Sequence, residues 1–144
     1  MNRTMALLSA WAAFFGVALG ALGAHGLKAL ARDLPDAAER LAWWETGARY
    51  HLVHALALGL TAVVAHHAPS RGPRVAAGLF VAGIAVFSGS LYAMGLTGLR
   101  SLGALTPLGG FAQLGGWLAL AWSMRQLSPP SPAPKPAPGE GGSR

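Results

Sequence analysis

Any chemistry in this chain falls to uncharged polar side chains. The candidates are His25, Tyr50, His51, His54, Ser88, Ser90, Tyr92, Thr97 and Thr106, each inside or beside a long apolar stretch. Imidazoles and hydroxyls both donate and accept hydrogen bonds, so three kinds of chemistry are open. These groups can tie helices together, with Pro107 and Gly109–Gly110 shaping one helix entry. They can line a pocket for a small molecule, a lipid or an ion. His25 with His51 or His54 can also ligate a b-type haem, which needs two inward histidines at similar depth; their place near span ends counts against that. His66 and His67 read as boundary residues.

Carboxylate chemistry lacks its usual pairs. Asp33, Asp36, Glu39 and Glu45 sit in one polar insert, where capping and ion pairing account for most of them. The sequence has no cysteine, which removes thiolate zinc sites, iron–sulfur clusters and cysteine nucleophiles together. It has no P-loop, dinucleotide fingerprint or metalloprotease motif. Gly-Ala-His-Gly at 23–26 and Ser-Gly-Ser at 88–90 lack the strand-to-helix turn of a hydrolase elbow. The expectation is a non-enzymatic protein with no catalytic residues, no metal ligands and no cofactor.

The elements that position the polar groups follow from charge scarcity. The 144 residues carry eleven basic and five acidic side chains, 11% charged, where a soluble domain has about 25%. Charge-free windows of 24, 21, 25 and 24 residues separate Arg3 from Lys28, Arg49 from Arg71, Arg74 from Arg100 and Arg100 from Arg125. Each is long enough to cross a hydrocarbon core of roughly 30 Å at about 1.5 Å per helical residue. The expectation is an all-α membrane protein, a four-transmembrane-helix bundle over residues 1–126 with spans near 5–24, 51–66, 75–96 and 103–124. A cleaved signal peptide competes for the first span, whose apolar run is too long for one. The Pro-rich stretch 127–144 cannot build a core and reads as a disordered tail. The net charge of +6 is scattered at span ends, which fits topology control and excludes a nucleic-acid patch. The partner it implies is the lipid bilayer, with a membrane-protein partner or homo-oligomer open.

Within the insert, Asp36 and Glu39 have capping-box spacing. Leu41, Trp44, Ala48 and Leu52 then share a stripe, and Glu45 and Arg49 stand at i, i+4. This predicts a short amphipathic interfacial helix between spans 1 and 2 that runs into the second span near Tyr50, with Trp43 and Trp44 at headgroup level. Small residues at Ala12, Gly16, Gly20 and Gly23 or Ala24, at Ala82, Gly89 and Ala93, and at Gly109, Gly116 and Ala119 predict close helix packing. Basic residues divide five against five between the two membrane sides. The N-terminal amine and the short basic 71–74 loop tip the balance to termini inside. With four spans, the end of the first, start of the second, end of the third and start of the fourth face one side. The polar candidates gather there.

Gly23-Ala24-His25-Gly26-Leu27, Tyr50 with His54-Ala55-Leu56-Ala57-Leu58, Phe87-Ser88-Gly89-Ser90-Leu91-Tyr92, and Thr106-Pro107-Leu108-Gly109-Gly110 with Gly116-Trp117 occur in that order. As a set over about residues 5–125 they resemble the small membrane proteins grouped as domain of unknown function 423, which are similar to eukaryotic transmembrane protein 256. His51 stands where that pattern has Gln, and Gly47 where it has Ala. The resemblance implies a short multi-pass protein of the bacterial inner membrane, with no established activity and no catalytic residues to carry over.

Overall fold

The structure is a computed structural model that describes residues 3–127. The tail at 127–144, apart from Leu127, lies outside the described residues. Four long helices account for nearly all of the rest, with no strand among the described residues. They are α1 (Arg3–Ala31), α2 (Ala37–His67), α3 (Arg71–Thr97) and α4 (Thr106–Met124). The first three are long and apolar enough to cross a membrane. In α4, 19 residues long, Pro107, Gln113 and four glycines dilute the apolar content.

The breaks have local causes. Pro35 disfavours helix at Leu34, and α2 restarts beyond Asp36. Pro73 falls in the first turn of α3 and Pro107 in that of α4, where a missing N–H costs no helical bond. Gly98 ends α3 in the left-handed conformation, φ 74°, which glycine adopts without Cβ strain. The Arg40 guanidinium crosses from α2 to this turn, and its Nη1 donates to the Leu96 carbonyl at 3.1 Å. A cation at the carbonyl end of a helix also complements its dipole.

One expectation for the insert is corrected. The amphipathic segment 37–50 is helical and runs on without a break as the first turns of the continuous 31-residue α2. Asp36, however, does not cap that helix with its side chain. Its Oδ2 lies 2.9 Å from Arg40 Nε, while Glu39 reaches Arg100 Nη2, beyond α3, at 2.6 Å. Ion pairing engages both carboxylates, Asp36 with Arg40 one turn on in the same helix and Glu39 with Arg100 beyond α3.

α2 is the central helix. α1 packs along it on one side, α3 and α4 pack on each other, and α2 also touches both of them. Ala57, Val64, Ala76, Phe80 and Leu120 form one buried cluster across α2, α3 and α4. Met5, Leu58, Ala62 and Ala77 form another across α1, α2 and α3. These cores are rich in alanine, as expected where close backbone approach replaces the hydrophobic drive between helices. The predicted small-residue stripes hold in part. Gly16 and Gly23 face α2, and Gly109 and Gly116 face Phe87 and Phe80. On α3, however, Ala82 is exposed and Gly89 meets nothing within 4 Å; Gly83 and Gly95 make the close contacts.

α1 and α3 each contain one π-helical turn, Gly23–Leu27 and Ile84–Ser88. Such a turn inserts an extra residue and rotates everything beyond it about the helix axis. Both lie in motifs that the sequence singled out.

Candidate functional site

His51 and His54 are three residues apart on α2, so their side chains diverge by about 60° around the axis. They serve two different seams.

The first seam joins α1, α2 and the end of α3. His51 is 7% exposed, and its Nδ1 lies 3.2 Å from the Tyr92 hydroxyl. Tyr92 packs on Trp44 with ring centroids 4.7 Å apart. Trp44 is buried, and its indole N–H donates to the Leu19 carbonyl of α1 at 2.7 Å. It is therefore a helix–helix lock rather than an indole turned outward to the headgroups. Gly23 makes that possible, because a Cβ there would overlap the indole ring. Farther down, Ser9 donates to the Ala55 carbonyl at 2.8 Å. These contacts pin α1 against α2 along the seam.

The second seam joins α2, the π turn of α3 and α4. His54 is 4% exposed with both ring nitrogens engaged: Nδ1 lies 2.8 Å from the Tyr50 carbonyl, and Nε2 lies 3.2 Å from Trp117 Nε1. An indole N–H can only donate. Nε2 must therefore be the bare nitrogen and Nδ1 the protonated one, which fixes a single neutral tautomer. Ser90 donates to the Phe87 carbonyl at 2.9 Å. Its one proton is then used, so Thr106 donates to Ser90 Oγ across 2.8 Å. That pair fastens the start of α4 to the π turn. Gly109 lets α4 sit there, since a Cβ would strike the backbone of Phe87.

Between these contacts the second seam is open. A cleft of about 670 Å³ runs between α2, Phe87 and α4. Tyr50, His54, Phe87, Phe111 and Trp117 supply its aromatic lining, and Val53 and Leu114 add aliphatic surface. Tyr50 stacks on His54 at 17° and lies 4.6 Å from the Phe87 ring centroid. Two polar groups complete the lining. Arg49 is exposed and has no acidic partner among the described residues. Gln113 is 3% exposed, and its buried side-chain Nε2 has no hydrogen-bond partner among the described residues. A donor left in that state costs about 1–3 kcal/mol.

The predicted polar residues therefore separate. His51 with Tyr92, and Ser90 with Thr106, are brought together as helix ties. Tyr50 and His54 line the cleft. Ser88 is fully buried at the close approach of α2 and α3, where Gly47 faces its carbonyl, and its Oγ has no partner. His25 is exposed in the π turn of α1, away from the other imidazoles. Thr97 serves its own helix end, donating to Ala93 and accepting from the Leu99 N–H. The haem alternative loses its geometry, since His25 does not face His51 or His54 and neither nitrogen of His54 is left to bind iron. No group of three or more potential metal ligands converges among the described residues. Gln113, Trp44 and Trp117 are the residues that sequence reasoning missed. An amide near the middle of a charge-free window was the available signal for Gln113.

Residues 19–110 match the model of a family described as a protein of unknown function, DUF423. The chain belongs to the DUF423 family. It is 42% identical over 119 residues to the UPF0382 membrane protein YwdK of Bacillus subtilis strain 168, covering 82% of this chain and 93% of that one. To the UPF0382 inner membrane protein YgdD of Escherichia coli K12 it is 35% identical over 116 residues, 81% and 85% of the two chains. No solved structure matches it. Residues within the matched range have physical roles in this chain: Gly23 seats Trp44, Phe87 and Ser90 receive α4, and Gly109 admits it. This is a membrane protein, with helical spans.

Proposed function

We propose that this DUF423 protein is a four-span protein of the bacterial inner membrane that binds a small amphiphile in the α2–α3–α4 cleft and catalyses no reaction. Residues 1–126 are the membrane domain, and the first seam of polar contacts is structural. The unpartnered, buried Gln113 amide on the cleft wall carries this reading, because an unmade hydrogen bond is expensive unless something supplies its other half.

Two further features support it. Leu108, Phe111, Leu114, Leu118 and Trp122 form an outward stripe on α4, each at least 61% exposed. That face suits acyl chains, so α4 fits a fourth span despite its glycines, and a cleft opening beside it is reached from within the bilayer. The first turns of α2 lie at the height of the headgroups in this arrangement. The permeation alternative needs a path past Phe80, which is fully buried among Ala57, Val64, Ala76 and Leu120. That packing favours binding over transport.

The test is native mass spectrometry of protein released from its own membranes. Wild type should carry a small amphiphile, and Gly110→Leu, which fills the cleft from a position with ordinary room for a Cβ, should lose it. Equal occupancy in both proteins would refute the assignment of the cleft.

A further inference from the structure

The chemistry of the cleft narrows its occupant, given the amphiphile-binding reading above. Phospholipid acyl chains are the most abundant candidates in a membrane, and Val53 and Leu114 would suit them. A methylene chain, however, cannot accept a hydrogen bond, and would leave the Gln113 amide as it stands. The occupant needs an acceptor oxygen at that depth, seven residues into α4. Seven residues are about 10 Å of helix, below the level at which lipid phosphates and esters lie.

The walls add a second requirement. Tyr50, Phe111 and Trp117 are 42%, 70% and 40% exposed, although Tyr50 also packs on Phe87 and His54. Aromatic faces and edges left free around one cleft favour another flat ring, through offset stacking and edge contacts. A third feature is a second donor, because α2 brings the unpaired Arg49 to the cleft that Gln113 enters from α4. Two donors from two helices suit a ring with oxygens at two of its corners.

We propose that the cleft binds a membrane-dissolved quinone-class molecule. Its planar ring lies among Tyr50, Phe111 and Trp117, one ring oxygen accepts from the Gln113 amide as its buried Nε2 turns into the cleft, and its apolar tail leaves past Val53 and Leu114. The inference concerns binding alone and includes no electron transfer.

The test uses the full chain in phosphatidylcholine nanodiscs and two probes. One is a benzoquinone with a ten-carbon tail; the other is decylbenzene, which has the ring and tail without the oxygens. Binding is read by native mass spectrometry and by quenching of the Trp117 contribution to fluorescence, taken against Trp117→Phe. The quinone should bind at least tenfold tighter than decylbenzene. Gln113→Leu should abolish that preference while leaving decylbenzene binding unchanged. Phe111→Ala, at an exposed site that folding does not need, should weaken both probes. Equal binding of the two probes, or an unchanged preference in Gln113→Leu, would overturn the quinone class and leave the amphiphile cleft standing. Failure of both probes, with no amphiphile retained from native membranes, would overturn both.

Discussion

Trp44 and Trp117 perform the same act in the two seams of α2 with different results. Each donates its indole N–H across a helix boundary, Trp44 to the Leu19 carbonyl and Trp117 to His54. Around Trp44 the seam is closed: Gly23 yields the space that the indole fills, and Tyr92 and His51 complete the contact. Around Trp117 the bonds stop short of closure, leaving a cleft with one buried amide unanswered. Polar residues under an apolar bundle thus do two jobs. Where they bridge helices across a packed seam they are structural, and where an unmatched donor borders a cleft, as at Gln113, a ligand has room beside it.

The largest expected effect breaks the closed seam. Gly23→Leu places a side chain where the Trp44 ring lies, and overpacking of this kind costs about 1–3 kcal/mol or more. Thermal unfolding in detergent should show a large fall or loss of the folded protein. His54→Ala comes next. It strips Trp117 of its acceptor and opens a void between Phe80 and Trp117, for a loss of roughly 2 kcal/mol. The same unfolding assay checks it.

Gln113→Leu sharpens the comparison because its sign is opposite. Removing an unmatched buried donor should leave the ligand-free protein unchanged or more stable by about 1 kcal/mol, measured after exhaustive detergent exchange. Arg100→Gln is the smallest. The Glu39–Arg100 pair lies at an exposed helix junction, and such pairs contribute about 0–1 kcal/mol. A shift well above that would mean the junction controls the entry of α4.

The helices were readable because charge is scarce and because Pro107 marks the entry of the last one. Their partners were less so. Periodicity places Trp44 on a stripe with Leu41 and Ala48 without telling whether that stripe meets headgroups or another helix. The π turns at 23–27 and 84–88 add a residue that no apolar pattern announces, which bears on why His25 points outward while its neighbour Gly23 faces Trp44. The hydroxyls were legible as a group, yet Thr97 is satisfied within its own helix end and Ser90 across a boundary; spacing is alike in the two cases. Gln113 was missed, and its lack of a partner among the described residues is a property of three dimensions.

The stability of wild type and Gln113→Leu, compared in pure detergent and again after addition of an extract of native lipids, tests the ligand-bearing cleft most directly. Wild type should be no more stable than the variant in detergent, gain stability with the extract as ligand binding stabilises the folded state, and overtake a variant that does not respond. A variant less stable than wild type in detergent, with equal responses to the extract, would make Gln113 a structural residue and contradict the cleft's role.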